Sequence, residues 1–302
     1  MLRSASVCMY VLLSLSVGAS AQSCVGNPVA VQILGSGGPN LNAERASASY
    51  LLRVGNQAKV LVDIGGGTHL RFAQSGAKLE DLAMVGISHL HPDHVSDLPA
   101  LFWTNIPARK DTLPIVGPSG NDVAPDFAVF LSRLFDPRTG AFEVLGPVLG
   151  ASPESGGKLS RLEVSVVDVK KPEITTVFDR DGLTVTAFAI PHGNLPALAY
   201  RVKTRDTSVV FSTDQNGTNP KFVDFAKGAN VLVMHMAIAA GATSPLHAAP
   251  AVVGRIAREA NVGRLIVSHI GRYDLDAALA ELKTTYTGPL TVGADLQCTQ
   301  VQ

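Results

Sequence analysis

Within six residues, His89-Leu90-His91-Pro92-Asp93-His94, the chain places three imidazoles and a carboxylate. Neutral imidazole and carboxylate are the groups that hold zinc and related divalent cations. The run follows the apolar stretch 82–87, so it stands on a loop at the C-terminal end of a buried strand rather than in a solvated turn. On an extended loop His89 and His91 point to one side and can share one ion. Pro92 stiffens the loop, and Asp93 and His94 turn toward a second ion. Three further candidates each follow an apolar strand: His192 after 183–190, Asp214 after 208–212 and His269 after 264–268. Singly, a strand-end His or Asp often caps a turn. Jointly, they describe a metal site built at one rim of a sheet core.

The elements that must position these groups are legible from period and punctuation. Strands are predicted over 29–34, 49–53 and 59–64, with Gly55-Asn56 as a hairpin turn. A helix is predicted from about 68 to 75, closed by Gly76, and others over 98–105 and 125–134, with a strand at 113–116. Residues 136–171 are rich in Gly, Pro and Ser and read as a loop or insertion over the site, carrying one strand-like segment at 162–167. The second half supplies strands at 183–190, 198–202, 208–212, 231–235 and 264–268, and helices at 220–227, 250–260 and 275–284. Alternating strands and helices give an α/β protein, and the hairpin signals call for mixed sheets. No linker divides the chain, so residues 22–302 are read as one domain.

The chain has 302 residues, 46% hydrophobic and 17% charged, enough to bury a large core. Its formal net charge is zero, which gives no electrostatic case for a nucleic-acid partner. Arg3, the apolar run 7–17 and the small-residue pattern Ala19-Ser20-Ala21 read as a secretory signal peptide cut after Ala21. That run is short of the ~20 residues a membrane span takes. The mature protein is therefore expected to be periplasmic or secreted, with no stable membrane span. Cys8 leaves with the signal, and Cys24 and Cys298 remain as a pair in an oxidising compartment, where a disulfide is expected. Domain termini often lie close enough for it.

The His-x-His-x-Asp-His run, followed in order by His192, Asp214 and His269, resembles the metallo-β-lactamase superfamily, from about Val29 to Val292. The resemblance implies an αββα sandwich, two mixed β-sheets flanked by helices, with two divalent metal ions at one edge. Zinc is the foremost occupant, and manganese or iron can fill similar sites. His89, His91 and His192 would bind the first ion and Asp93, His94 and His269 the second, with Asp214 bridging them. Asp63 matches the family's early acidic residue and would hold the ligand loop in place.

Within the superfamily, the stretch from His247 through Arg255–Ala260 to His269, with Arg272-Tyr273 after it, resembles the RNase Z-like branch. That branch includes tRNA 3′-end endonucleases, class II cyclic-nucleotide phosphodiesterases and some arylsulfatases. In it, a histidine at the position of His247 helps bind or protonate at the phosphate. The endonucleases pair that histidine with a glutamate, whose place here is taken by Met236. Arg272 is a candidate anion contact, His69 reads as a surface residue, and His235 as core or as a support behind the ligands.

The expectation is an exported dinuclear hydrolase in which a hydroxide attacks a phosphodiester (a cyclic nucleotide or small diester) or a sulfate ester, with Asp93 and His247 as catalytic residues. Export, and the lack of a basic Gly/Pro-rich arm, point to a small-molecule ester and no tRNA or DNA partner. A homodimer is compatible with the branch. A lactonase or β-lactamase-type hydrolase on the same fold is the alternative. Asp214 speaks against the β-lactamases, which generally lack a bridging aspartate there. A non-catalytic metal-binding envelope protein is opposed by the complete ligand set.

Overall fold

The computed structural model describes Cys24 and residues 26–105, 109, 111–149, 162–171 and 173–302. The expected signal peptide, and the 150–161 portion of the expected insertion, lie outside them.

The first half of the chain supplies β1 (Val29–Gly35), β2 (Ser49–Val54), β3 (Gln57–Val62), β4 (Met84–Gly86), β5 (Leu113–Pro118) and β6 (Leu162–Val167). The second half supplies β7 (Thr175–Arg180), β8 (Leu183–His192), β9 (Leu195–Lys203), β10 (Ser208–Phe211), β11 (Val231–His235), β12 (Arg264–Ser268) and β13 (Leu290–Val292). The last strand, β14 (Cys298–Gln300), returns to the first sheet. Two seven-stranded sheets result, ordered β14-β1-β2-β3-β4-β5-β6 and β13-β12-β11-β10-β9-β8-β7. Each is mixed: hairpins join β1–β2–β3 and β7–β8–β9–β10 antiparallel, while β3–β4–β5–β6 and β10–β11–β12–β13 pair in parallel.

The layers follow from strands that are apolar on both faces. In β1, Val31 and Ile33 face the second sheet and pack with Val185, Val209 and Val233. Their neighbour Leu34 faces outward, with Leu51 and Leu61, against α1 (Thr68–Gln74), α3 (Leu98–Asn105) and α4 (Phe127–Phe135) through Phe72, Leu101, Phe102 and Phe127. Between α1 and α3 lies the single turn α2 (Pro92–Val95). On the far side, Val210, Leu232 and Leu265 bury against α5 (Lys221–Ala226), α6 (Pro250–Glu259) and α7 (Leu275–Lys283) through Phe222, Val253 and Leu282. This is the αββα sandwich, with one apolar layer between the sheets and one beneath each helix group.

Three strands escaped the sequence reading. In β7 only Phe178 is buried, because the strand lies at a sheet edge and shows no alternation. The strands β13 and β14 are three residues each. The described part of the expected insertion, 136–149, ends in a 3-10 turn that buries Leu145 and Val148 in the apolar layer beside α3 and α4.

Cys24 and Cys298 form a disulfide with Cα atoms 5.5 Å apart and 274 residues between them in sequence. It fastens the start of the described chain to β14. A cross-link of such separation stabilises by restricting the unfolded chain, by about 2–5 kcal/mol. Reduction is therefore expected to lower the urea midpoint of the protein to that of a Cys24→Ser/Cys298→Ser variant, which reductant leaves unchanged. Equal midpoints for the oxidised protein and the variant would contradict this.

Candidate metal centre

The centre stands where strands of both sheets end on one rim. Asp63 follows β3, Ser88 and His89 follow β4, His192 ends β8, Asp214 follows β10, His235 ends β11 and His269 follows β12. Three residues at these ends hold left-handed backbone: Asp63 at φ 61°, Thr213 at φ 51° and His269 at φ 55°. Non-glycine residues adopt that region at a cost of order 1–3 kcal/mol. Here it breaks the strand and turns the following side chain, or the residue's own, into the rim.

The ligand loop runs extended through His91 and then turns. Pro92 occupies the first turn of α2, where its missing N–H is not needed, and the helical turn carries Asp93 and His94 away from His89 and His91. The turn is tied to β3 by backbone bonds from Ile64 N to His94 O (2.8 Å) and from Asp97 N to Ile64 O (3.1 Å). Gly65 permits this closeness, since a Cβ there would lie 2.1 Å from the Asp93 carbonyl oxygen.

Two groups of ligand atoms converge. In the first, His91 Nδ1 is 3.0 Å from His89 Nε2 and 3.2 Å from His192 Nε2, and Asp214 Oδ2 is 3.7 Å from both Nε2 atoms. A tetrahedral ion with bonds of about 2.0–2.1 Å sets its donors roughly 3.3 Å apart, so this set fits one. The far nitrogens are already committed: His89 Nδ1 to Ser88 Oγ at 2.9 Å and His192 Nδ1 to the Leu246 carbonyl at 2.9 Å. Such partners fix the tautomer and leave the inner nitrogen as a lone pair, as metal-holding histidines require.

In the second group, His94 Nε2 is 3.3 Å from His269 Nε2, Asp93 Oδ2 is 3.1 Å from His269 Nε2, and Asp214 reaches both rings at 3.5 and 3.4 Å. His94 Nδ1 donates to Asp63 Oδ2 at 2.7 Å. Asp63 also accepts from Ser88 N (2.7 Å) and Ser88 Oγ (2.8 Å), so one buried carboxylate orients ligands of both groups. The His269 ring is packed against the Gly38 backbone, where a Cβ would come within 2.6 Å of Cε1. All of the sequence-predicted ligands are thus brought together, with Asp214 between the groups.

His235 is buried at the end of β11, in the supporting place that its sequence position allowed. His235 shares the second cluster with His94, Asp214 and His269 and donates from Nδ1 to Asp214 Oδ1 at 2.6 Å. In the sheet register His235 pairs with Ser268, next to His269, on the same rim.

The electrostatics describe a site built for cations. Asp214 is buried, which alone would raise its pKa, yet the facing His269 and His94 hold it well below the usual carboxylate range. Burial would likewise raise Asp93, but the hydrogen bond from His269 and the charges of His94 and His269 bring it to about 2. Desolvation and neighbouring imidazoles push His89 well down, and burial lowers His91 and His192. Burial opposes the charge on His94 too, but Asp63 and Asp214 outweigh it and raise that ring well above its usual value. A proton there stands where a cation would compensate the same carboxylates, and cation binding would displace it.

His247 also reaches the centre. Its ring centroid is 5.3 Å from that of His192 and 5.6 Å from that of His269, and its Nδ1 is 3.8 Å from Asp214 Oδ1. That nitrogen is buried with no hydrogen-bond partner. Met236 supplies no carboxylate to it and lies in the apolar layer with Ala248 and Ile270. Arg272 is exposed, and so is His69, as expected for the latter.

Fold and rim together define a metal-dependent hydrolase of the metallo-β-lactamase type. Residues 59–270 match the β-lactamase superfamily domain, and the chain belongs to that superfamily. The ribonuclease Z of Mycobacterium bovis is 28% identical over 291 residues, spanning 90% of this chain and 98% of that protein. The ribonuclease Z of Mycolicibacterium paratuberculosis is 30% identical over 306 residues, with the same coverage of 90% and 98%. Among solved structures, the metallo-β-lactamase fold protein YhfI from Bacillus subtilis superposes with a TM-score of 0.70 at 22% identity, covering 90% of this chain and 99% of that one. The short form of human tRNase Z does so with a TM-score of 0.69 at 18% identity, covering 90% and 99%.

These relatives correct the expectation that tRNA is no partner. Proteins named ribonuclease Z align over almost their whole length, and a tRNase Z shares the fold. The net charge of zero was a poor guide, because it averages the whole surface and is silent about any one part of it.

Asp63→Asn keeps the volume of the buried carboxylate and removes its charge. The expected result is metal affinity weaker by about 10–100-fold, measured by chelator competition. Unchanged affinity would mean that Asp63 serves the loop alone.

Proposed function

We propose that the protein is a dinuclear metal-dependent phosphodiesterase, with RNA and small phosphodiesters both within its chemistry. The observation that carries this reading is His247: a side chain 14% exposed, set between the two ligand groups, whose Nδ1 has no partner. Burial pushes its pKa down to about 4, so the ring is neutral near pH 7 and offers one N–H without adding a charge. An N–H at this place suits the non-bridging oxygens of a phosphodiester as negative charge grows on them.

Two divalent cations, when bound, would lower the pKa of a water toward neutrality and polarise the ester. Asp93 Oδ2, ionised and 3.1 Å from His269 Nε2, would accept the proton of the attacking water. Asp63 and Ser88 keep the His89 and His94 rings fixed through the reaction. The homologues named ribonuclease Z support a phosphodiester over a lactone or sulfate ester.

We propose in addition that the chain is exported and cut after Ala21. The Cys24–Cys298 disulfide supports this, since such bonds persist in oxidising compartments.

The test is turnover by zinc-loaded protein beginning at Gln22, on bis(p-nitrophenyl) phosphate, a cyclic nucleotide, a 3′-extended tRNA, p-nitrophenyl sulfate and a lactone. Hydrolysis of one or more phosphodiesters is expected, falling by about 10²–10³-fold in Asp93→Ala and in His247→Ala. Turnover confined to the sulfate or the lactone would sink the proposal.

A further inference from the structure

The bond from His235 Nδ1 to Asp214 Oδ1 has a continuation on the other side of the ring. His235 Nε2 is 2.8 Å from the hydroxyl of Tyr50, which also lies 3.0 Å from Ser268 Oγ. All four side chains are buried. Tyr50 belongs to β2 of the first sheet, whereas His235 and Ser268 are register partners closing β11 and β12 of the second. One phenol therefore spans the sandwich directly beneath the rim.

We infer that Tyr50 is a positioning residue for the metal centre: its hydroxyl fixes the tautomer of His235 and, through that ring, the orientation of the Asp214 carboxylate. The reasoning is a count of donors. A carboxylate only accepts, so the proton of a neutral His235 must sit on Nδ1. Nε2 is then a buried acceptor facing the Tyr50 hydroxyl, whose single proton serves it when the Ser268 hydroxyl, able to donate or accept, donates to the phenol oxygen. Burial, above all, holds the phenol well above its usual pKa, so it keeps its proton to donate. Ring packing cannot replace this bond. His235 stacks on His269 with centroids 4.6 Å apart, which sets the plane of the ring but not which nitrogen is protonated. With the other tautomer, a lone pair would face Asp214 Oδ1 across 2.6 Å and turn the carboxylate away from the two groups it joins. The inference rests on the two-ion reading of the centre and not on the identity of the ester.

The test uses the mature protein with Tyr50→Phe, which removes only the hydroxyl and retains the ring contact with Phe211. Expected are weaker binding of one of two zinc ions, by about 10–100-fold in chelator competition, and a shifted absorption spectrum of the cobalt(II)-substituted protein. With bis(p-nitrophenyl) phosphate, kcat falls while KM stays within about twofold. If Tyr50 acts through His235, these effects vanish in a His235→Gln background. A Tyr50→Phe protein with a lower melting temperature but unaltered zinc competition and cobalt spectrum would overturn the inference, as would effects that simply add to those of His235→Gln. Binding of fewer than two ions by the unsubstituted protein would overturn the two-ion reading along with it, and is told apart because no substitution is needed to see it.

Discussion

A carboxylate buried among imidazoles is the constraint around which this molecule is arranged. Asp214 is 1% exposed, and ring nitrogens of His89, His94, His192, His235, His247 and His269 all lie within 3.8 Å of its oxygens. A charge so placed is strongly unfavourable unless it is paired and hydrogen-bonded. The rings that serve it come from strand ends and loops of both sheets, His89 and His94 from the one loop after β4, so the carboxylate is satisfied only when both sheets are closed on each other. The rim is thereby both a chemical site and a point where the two halves of the chain are held in register.

The fold bears local strain to make that convergence possible. Asp63, Thr213 and His269 hold left-handed backbone at three strand ends, and Gly38 and Gly65 let neighbouring segments approach where a Cβ would collide. Beneath them, Asp63 does for the ligand loop what Tyr50 does for Asp214, fixing from behind the direction in which a ligand atom points. Strain of this kind persists only where surrounding structure over-determines it. Here that structure is a pair of sheets apolar on both faces.

Much of this was legible in the residues. The density of ligand types in 89–94 has no good structural explanation, and His192, Asp214 and His269 each follow an apolar run that could only be a buried strand. Those runs give an α/β protein with mixed sheets, and the αββα layering was implied by the resemblance of the ligand motifs to the superfamily. His235 was harder to read because it closes an apolar strand like a core residue. Its partners lie 21 positions away at Asp214 and 185 away at Tyr50, separations that no local pattern encodes. The helical turn at Pro92 was hidden by its four-residue length, and β7 by an edge position that leaves its side chains in solvent. The expectation against tRNA failed for a different reason, in that a global charge was made to speak for a local surface.

The most direct measurement is anomalous X-ray scattering from crystals of the protein beginning at Gln22 grown with zinc. Two peaks are expected on opposite sides of the Asp214 carboxylate, one against His89, His91 and His192 and the other against Asp93, His94 and His269. A single peak, or a second peak that does not touch Asp214, would contradict the account.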